Sequence, residues 1–319
     1  MADIASYIDD SELNAACREL YESITEKRMY VTGAIGSTFH GEAFTVDYDL
    51  PSDTAYAETC ASIGLIMFCS RMLENELRGE YADVMERAFY NTVLAGMQKD
   101  GQRFFYVNPL EVVPGISGEA VTHRHALTQR PKWYTCACCP PNVARLVSSF
   151  GKYAYGESDD TAYCHLFAEG EVSFRNGVKL ECKTGYPFDL SVSYKAIKGG
   201  RVKIHIPSWS EKYAVTVNGE KVGFENEKGY ITVDFIEGDE VTIILDGQVK
   251  TVYPSRKVPH LTGKVAFMRG PLVYCFEGVD NEGDVLNISV ECDGEKDVIF
   301  TEDELLGKIP VITVQGCRY

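Results

Sequence analysis

The spacing of apolar side chains predicts that the first half of the chain is helical. Residues 13–24 place apolar side chains three and four positions apart, as one face of a helix requires: Leu13, Ala16, Cys17, Leu20 and Ile24. Ser11 stands just before this pattern and is the predicted N-cap. The segment of residues 30–53 is polar and aromatic without a period, and a loop of that length is more often functional than a simple connector.

Three further helices are predicted before residue 160. One begins near Thr54, after a proline, a serine and an aspartate that suit the end of a loop and the cap of a helix, and it ends at Asn75. Its middle is apolar on nearly every side, so we expect it to be buried among other helices. Residues 81–97 and residues 142–156 supply the other two helices.

From about residue 161 the pattern changes to short, alternating, β-branched segments separated by turns. Asn218 and Gly219 lie between two such segments and predict a two-residue hairpin turn. Short strands with frequent turns indicate an antiparallel β-sandwich. The sequence therefore predicts an α+β protein with two domains, residues 1–158 and residues 159–319.

Composition excludes several classes of function. The net charge is −16, so we expect neither nucleic acid nor an anionic membrane as a partner. The longest apolar run, residues 61–69, is too short to span a bilayer, and the first residues lack the basic and apolar regions of a signal peptide. Eleven cysteines, an odd number, then predict free thiols and a cytoplasmic location.

The residues with the most distinctive chemistry lie at 132–142, where the sequence is KWYTCACCPPN. Cys136, Cys138 and Cys139 fall within four residues, ahead of two prolines. A vicinal disulfide would be strained, and transient in a reducing compartment, whereas a thiolate cluster on a rigid turn is what zinc prefers. One cluster cannot complete a tetrahedral set, so a zinc site needs ligands from elsewhere in the chain.

The segment around the second predicted helix offers acidic and sulfur ligands, among them Glu42, Glu58 and Cys60. Side chains two residues apart on a regular helix point about 200° away from each other. Glu58 and Cys60 could therefore share one ion only if the first turn is irregular. The alternative is structural, with Glu58 as a carboxylate favoured by the helix dipole and Cys60 as a small core residue. The spacing alone leaves both interpretations open.

Several segments together resemble glycoside hydrolase family 127, the β-L-arabinofuranosidases. They are TGAIGS, GEAF, DYDLPSDTAYAETCASIGL, MERAFYN, CACCPPN, IPSW and RGPLVYC, in this order along the chain. The resemblance implies the C-terminal part of an (α/α)6 barrel followed by an antiparallel β-sandwich. It also implies a Zn²⁺ ion held by Glu58, Cys60, Cys138 and Cys139, with Cys138 as the nucleophile and Glu42 as the acid/base.

The implied residues suit a retaining glycosidase in which a thiolate replaces one of the two usual carboxylates. A bound zinc ion would remove the thiol proton of Cys138. Glu42 would first protonate the leaving oxygen and then deprotonate water, so we expect burial or negative neighbours to raise its pKa. Glu86 and Tyr106 resemble family positions that contact the sugar, although a supporting carboxylate and a core tyrosine explain them equally well. His40 is a weaker substrate-binding candidate, and a simple place on the loop is the favoured explanation.

Three other residues resemble metal ligands but receive no such role. Cys136 is not a ligand in the family, and we expect it to be a packed small side chain. His123 and His125 alternate as a metal-binding pair could, but nothing nearby in the sequence completes a tetrahedral set. We therefore expect both histidines to be solvated loop residues.

Members of the family are much longer than this chain, whose first residues resemble a segment in the middle of the family's barrel. We therefore expect a fragment that lacks the N-terminal half of the barrel. The expected substrate is a β-L-arabinofuranosyl oligosaccharide or glycoconjugate, and the expected protein partner is a second copy or a chain that carries the missing half. The alternative functions are a non-catalytic zinc-stabilised scaffold, a half-enzyme that needs such a partner, and a thiol redox protein without tightly held metal.

Overall fold

The computed structural model describes residues 1–8, 10–134, 136, 138–283 and 285–319. The chain divides into two compact units, each built from three segments. The first unit comprises Met1–Glu19, Gly64–Glu86 and Ala144–Gly247, and the second comprises Leu20–Ile63, Arg87–Val143 and Gln248–Tyr319. Helices and sheets are both present, so the predicted α+β class is confirmed.

The α-helices of the described residues all lie before residue 155. They are α1 Ala2–Ile8, α2 Ser11–Lys27, α3 Thr59–Asn75, α4 Gly79–Ala88, α5 Cys139–Ser148 and α6 Gly151–Ala154. A π-helical segment, Phe89–Leu94, follows α4 directly. Within the described part of the chain, none of these helices combines the length and the apolar character that crossing a bilayer demands.

The first predicted helix is confirmed by α2, but its cap differs from the prediction. The carboxylate of Asp10 accepts the backbone N–H groups of Glu12 and Leu13 at 2.9 and 3.0 Å. Asp10 is therefore the N-cap, because its side chain satisfies amide groups that have no partner within the helix. The prediction of Ser11 as the cap is wrong, since Ser11 is already the first helical residue.

The second predicted helix begins later than expected, at Thr59. Glu58 pairs with Val107 as an isolated β-bridge, and Ala57 has a φ of +44°. The Ser62 N–H donates to the carbonyl of Glu58 at 3.1 Å, so Glu58 caps the helix rather than belonging to it. The irregularity that a shared ion requires is therefore present at the start of α3.

The strands between residues 155 and 245 form two large sheets in the first unit. They are β1 Tyr155–Glu157, β2 Thr161–Cys164, β3 Gly170–Ser173, β4 Lys179–Thr184, β5 Ser191–Lys198, β6 Gly200–His205, β7 Tyr213–Val217, β8 Glu220–Lys221, β9 Asn226–Glu227, β10 Tyr230–Phe235 and β11 Glu240–Leu245. One sheet has the order β1-β2-β6-β10-β9, and the other has β3-β4-β5-β11-β7-β8. Buried side chains of both sheets form one hydrophobic cluster.

The period-two pattern located these strands because alternate residues face the shared core. In β5 the buried residues are Val192, Tyr194 and Ala196. The turn between β7 and β8 is confirmed, and Asn218 and Gly219 have φ values of +53° and +84°, as a type I′ turn requires. The described strand pairs are antiparallel except that β2 and β6 are parallel, so the prediction of a wholly antiparallel arrangement is wrong at this pair.

The strands after residue 248 belong to the second unit and form small separate sheets. They are β12 Val249–Val252, β13 Ala266–Arg269, β14 Leu272–Tyr274, β15 Ile288–Val290, β16 Lys296–Asp303, β17 Gly307–Val314 and β18 Gly316–Arg318. Their orders are β12-β13-β14, β15-β18 and β16-β17. The two large sheets thus end at Leu245, and the division of the chain into domains at residue 158 stays a prediction.

Candidate metal centre and active site

Four side chains from two distant segments of the sequence converge in the second unit. Glu58, Cys60, Cys138 and Cys139 each place one ligand atom within 4.8 Å of all the others. The Sγ atoms of Cys60 and Cys139 lie 3.4 Å apart, and those of Cys138 and Cys139 lie 3.8 Å apart. Oε1 of Glu58 lies 3.5 Å from Sγ of Cys138 and 3.9 Å from Sγ of Cys139. This group could hold a metal ion.

Most of the spacings are close to those of tetrahedral coordination. A Zn–S bond of about 2.3 Å places tetrahedral sulfur ligands roughly 3.8 Å apart. Four of the six separations between the ligand atoms lie between 3.4 and 3.9 Å, and all six lie within 4.8 Å. Three sulfur ligands and one carboxylate form a set that zinc accepts. Glu58 and Cys139 are buried, whereas Cys60 and Cys138 are partly exposed. The latter two are therefore the thiols that a substrate could reach.

Residues 104–108 hold the first ligand segment in place. Thr59, which lies between Glu58 and Cys60 in sequence, donates its backbone N–H and its hydroxyl to carbonyl groups of that segment at 3.0 and 2.9 Å. The amide of Asn108 donates to the carbonyl of Ala57 at 2.9 Å and to the hydroxyl of Thr59 at 3.0 Å. These hydrogen bonds fix both ends of the short segment that carries two of the ligands.

The second ligand segment is the start of α5. The Asn142 N–H donates to the carbonyl of Cys138 at 3.2 Å, so Cys138 precedes the helix and Cys139 is its first residue. Pro140 and Pro141 occupy the first turn, where the missing N–H of proline costs no helical hydrogen bond and its fixed φ suits the helix. The sequence CCPP is therefore a helix start that presents two adjacent thiols.

The protein groups alone do not make all three thiols acidic. Hydrogen bonding with Cys139 lowers the pKa of Cys60. Burial raises the pKa of Cys138, and the hydrogen bond to Cys60 followed by burial raises the pKa of Cys139. A bound divalent cation would overcome these effects, because a coordinating thiol is deprotonated outright.

Glu42 lies in a tight turn between Thr38 and Ala43, which pair as an isolated β-bridge. Its φ of +51° is a left-handed conformation, which is uncommon outside glycine and found at turns and functional sites. The residue is exposed. Of the two alternative causes named in the prediction, burial is therefore absent, and only negative neighbours remain.

Two tyrosines connect Glu42 to the cysteine cluster. The Tyr56 hydroxyl donates to Oε1 of Glu42 at 2.8 Å, and the Tyr106 hydroxyl donates to the same oxygen at 3.3 Å. The thiol of Cys138 donates to the Tyr106 hydroxyl oxygen at 3.1 Å. Tyr56 was missed by the sequence analysis. Spacing could not have placed it, because the positive φ of Ala57, between Tyr56 and Glu58, breaks the alternation of an extended segment.

The other substrate-binding candidates lie in different surroundings. Glu86 belongs to the first unit and is 2% exposed, and its two carboxylate oxygens accept hydrogen bonds from the Tyr186 hydroxyl and, at 2.9 Å, from Nε1 of Trp209. Burial raises the pKa of Glu86 to about 7. His40 is exposed, with its ring centroid 4.0 Å from that of Phe39. Substrate contact by Glu86 and His40 stays a prediction.

The two other histidines and the third clustered cysteine differ from expectation in their burial. Nε2 of His123 lies 3.0 Å from Asp53, and Nε2 of His125 lies 3.0 Å from the carbonyl of Thr54. Both rings are partly buried, so the expectation of solvated side chains is wrong. Neither belongs to a metal-ligating group within the described residues. Cys136 is exposed rather than packed, so that expectation is also wrong.

Three family models match successive parts of the chain. The catalytic domain of the β-L-arabinofuranosidases of glycoside hydrolase family 127 matches residues 1–152, the middle domain matches residues 161–247, and the C-terminal domain matches residues 249–311. The break between the second and third matches falls just after the end of the two large sheets.

Individual relatives agree with the family models. The non-reducing end β-L-arabinofuranosidase of Bifidobacterium longum subsp. longum is 39% identical over 100% of this chain and 50% of its own length. The crystal structure of a GH127 β-L-arabinofuranosidase from Geobacillus stearothermophilus T6 has a TM-score of 0.93 at 42% identity, over 99% of this chain and 51% of that one. A GH127 β-arabinofuranosidase has a TM-score of 0.89 at 32% identity, over 99% and 52%. The chain spans about half the length of these relatives.

Proposed function

Because the chain belongs to glycoside hydrolase family 127, we propose that it takes part in retaining hydrolysis of β-L-arabinofuranosides and releases L-arabinose. Cys138 is the proposed nucleophile, and Glu42 is the proposed acid/base. The observation that carries the proposal is the convergence of Glu58, Cys60, Cys138 and Cys139, whose ligand atoms all lie within 4.8 Å of one another. The resemblance supplies the substrate class, a β-L-arabinofuranosyl oligosaccharide or glycoconjugate.

Zinc is the metal that the ligand set favours. Its three sulfur atoms exclude the all-oxygen coordination that Mg²⁺ and Ca²⁺ prefer, and suit zinc. When bound, Zn²⁺ would lower the pKa of the Cys138 thiol, so that the thiol loses its proton to solvent and the sulfur is held as a thiolate. Glu58, Cys60 and Cys139 would complete the coordination.

In the first step, the Cys138 thiolate attacks the anomeric carbon, and the bond from that carbon to the leaving oxygen breaks. Glu42 gives its proton to the leaving oxygen, so the leaving group departs neutral. Both tyrosine hydroxyls approach Oε1 of Glu42. Proton transfer to the substrate is therefore assigned to Oε2, the oxygen that neither phenol approaches.

In the second step, water attacks the same carbon from the face that the leaving group vacated. Glu42, now a carboxylate, accepts the proton of that water, and the carbon–sulfur bond breaks to restore the Cys138 thiolate. Two inversions at one carbon give net retention. Tyr106 is the favoured sugar-contacting residue, because its hydroxyl lies 3.1 Å from the sulfur that forms the bond.

The remaining proposals concern architecture and location. We assign residues 1–158 to the C-terminal part of an (α/α)6 barrel and residues 159–319 to a domain built on a β-sandwich. The confinement of the described α-helices to residues before 155, and the one cluster shared by the two large sheets, support this assignment. The free thiols among the described residues favour a reducing compartment such as the cytoplasm.

The test assays one preparation for zinc per chain and for L-arabinose released from a β-L-arabinofuranoside. The proposal predicts one zinc ion and measurable turnover, and it predicts that Glu42→Gln loses turnover while keeping zinc. Zinc without turnover in the unmodified chain would contradict hydrolysis by this chain alone and favour a zinc-stabilised scaffold or a half-enzyme that needs a partner chain. Reversible thiol oxidation without bound metal would favour the redox alternative.

A further inference from the structure

The Tyr106 hydroxyl lies between the two proposed catalytic groups, Cys138 and Glu42, and has one proton to donate in a hydrogen bond. Its hydroxyl oxygen lies 3.1 Å from Sγ of Cys138 and 3.3 Å from Oε1 of Glu42. A phenol has one O–H donor, so it can donate to only one of these neighbours at a time. The side chain is 7% exposed, and a phenol, with an ordinary pKa near 10, holds its proton at neutral pH.

The thiolate form of Cys138 accepts a hydrogen bond from the Tyr106 hydroxyl. A negatively charged sulfur is a stronger acceptor than a neutral one, so the Tyr106 hydroxyl turns towards Cys138. Glu42 then faces the lone pairs of the phenol oxygen. A carboxylate in that place is repelled, whereas a protonated carboxyl can donate to the phenol. The resting site therefore favours Glu42 in the acid form that the first step requires.

The thioether form of Cys138 no longer accepts a strong hydrogen bond from Tyr106. Once the sulfur carries the sugar it has lost its charge, and a thioether is only a weak acceptor. The Tyr106 hydroxyl then turns to Oε1 of Glu42, where a donated hydrogen bond stabilises the carboxylate. The intermediate therefore favours Glu42 in the base form that the second step requires.

We propose that Tyr106 is a positioning residue that couples the covalent state of Cys138 to the proton affinity of Glu42. This inference rests on the proposed function for its purpose, but the coupling itself is a property of three side chains. Through this coupling, the Tyr106 hydroxyl favours the acid form of Glu42 in the first step and its base form in the second, without movement of the backbone.

Tyr56 provides a matched control within the same site. It donates to the same oxygen of Glu42, at 2.8 Å, and its ring centroid lies 6.0 Å from that of Tyr106. Among the contacts of the described residues, its hydroxyl bonds Glu42 but not Cys138. Tyr56 also interacts with Tyr106, so Tyr56→Phe tests whether the coupling needs the hydroxyl that contacts Cys138 or any phenol beside Glu42.

The other ionisable groups around Glu42 act on both states in the same way. Glu58 acts by its charge on both tyrosines. The ring of His125 lies 6.0 Å from that of Tyr56, and His40 is two residues away on the same turn. Their charges do not change with the covalent state of Cys138.

The experiment measures the pKa of Glu42 directly, by NMR titration of the zinc-loaded protein carrying carbon-13-labelled glutamate. The Glu42 signal is assigned from its loss in Glu42→Gln. Cys138→Ala imitates the thioether, because it removes the charge and the strong acceptor. We expect Cys138→Ala to lower the pKa of Glu42 by about 1–2 units more when Tyr106 is intact than in Tyr106→Phe, which is the effect of one hydrogen bond to a charged group.

The same comparison in Tyr56→Phe should retain the full extra shift. Any change of zinc content caused by Cys138→Ala appears in both arms and cancels in the difference. Cys138→Val, which also lacks a charge and an acceptor, supplies a second version if the alanine variant does not fold. An equal shift with and without Tyr106 would overturn the inference. The titration does not depend on turnover. If the Tyr106-dependent shift is present in a chain without arabinosidase activity, only the proposed function is contradicted. If the chain is active but the shift does not depend on Tyr106, only this inference is contradicted.

Discussion

At the scale of single residues, the two proposed catalytic groups are held in different ways. Cys138 precedes a helix and lies among other ligand atoms, so its sulfur has a defined place. Glu42 lies on an exposed tight turn, aligned by two phenol hydroxyls at one of its oxygens. This difference suits a nucleophile that must be fixed and an acid/base that must serve first a leaving group and then water.

Replacing Glu42 with glutamine tests its role. An amide cannot give or take the proton, so we expect Glu42→Gln to lower kcat by about 10²–10⁴-fold. The zinc content should not change, because Glu42 is not in the ligand group. Metal analysis and arabinose release on one preparation make the measurement. Glu119→Gln, an exposed glutamate of the same unit, is the control, and equal losses in both variants would contradict the assignment.

Replacing one cysteine of the cluster tests the ligand set. Cys139 is buried and lies close to two of the other ligand atoms, so Cys139→Ser should lose zinc. The free energy of unfolding should fall by on the order of several kcal/mol, because zinc binding stabilises the folded chain. Cys136→Ser is the matched control, as Cys136 is exposed and outside the ligand group. Zinc retained by the Cys139 variant would exclude the proposed coordination.

The ligand residues show how far single-residue predictions from sequence can go. The paired cysteines were conspicuous, but Glu58 and Cys60 could not be placed by spacing, because a regular helix would turn them apart. The feature that resolves this is the positive φ of Ala57 and the bridge to Val107, which depend on a partner far along the chain. The family resemblance supplied what local reasoning could not.

At the scale of elements, both pairs of ligands lie at the start of a helix. The start of α3 is held by hydrogen bonds from residues 104–108, and the start of α5 is set by two prolines. Each ligand pair is thus positioned by the backbone of a helix terminus rather than by a mobile loop, which suits a preorganised site.

Removing the amide of Asn108 tests this support. The side-chain amide of Asn108 donates to Ala57 and Thr59 rather than to a ligand atom, so it acts by holding the segment that carries the ligands. We expect Asn108→Ala to weaken zinc affinity by about 10–100-fold, as for other residues that orient ligands. Competition with a chelator measures the affinity. Asn281→Ala, on an exposed turn of the same unit, is the control, and an unchanged affinity for Asn108→Ala would refute the supporting role.

The cap of α2 gives a second test at this scale. Asp10→Ala removes the acceptor for two backbone N–H groups, so the free energy of unfolding should fall by about 1 kcal/mol. Ser11→Ala should change it by much less. Urea titration of both variants makes the measurement, and a larger loss in the serine variant would reverse the assignment of the cap.

Elements were predictable wherever one period dominated. The helical period located α2, and alternation located β5. The cap was mispredicted because Asp10 and Ser11 are both good capping residues and only the structure shows which side chain accepts. The parallel pairing of β2 with β6 was missed, since alternation fixes the face of a strand but not the direction of its neighbour.

At the scale of the whole molecule, sequence order and spatial grouping differ. Each compact unit draws on three separated segments, whereas composition along the chain shows only one change, near residue 161. A local pattern cannot report that residues after 248 group with the segment that carries the ligands. That grouping depends on contacts between distant residues, such as the hydrogen bond from the Val273 N–H to Asn91 at 2.7 Å.

The stability of the whole chain should depend on pH through Glu86. Burial raises its pKa in the folded state to about 7 from an ordinary value of 4.5. Between these two pH values the unfolded chain releases the proton and the folded chain keeps it, so stability falls as pH rises, by roughly 3 kcal/mol in all.

Denaturant titrations between pH 4 and pH 8 measure this dependence. Glu86→Gln should remove the corresponding part of the decline, because it cannot ionise. Glu225→Gln, an exposed residue of the same unit, should leave the decline unchanged. Identical pH dependence in the Glu86 variant and the unmodified chain would show that Glu86 does not titrate in this range.

The central claim is that sulfur atoms from two distant segments bind one ion together with one carboxylate. X-ray absorption at the zinc edge, with metal analysis of the same sample, tests it most directly. The account predicts one zinc ion per chain, with three sulfur atoms at about 2.3 Å and one oxygen at about 2.0–2.2 Å. A chain without bound zinc, or a zinc ion with fewer than three sulfur ligands, would contradict it.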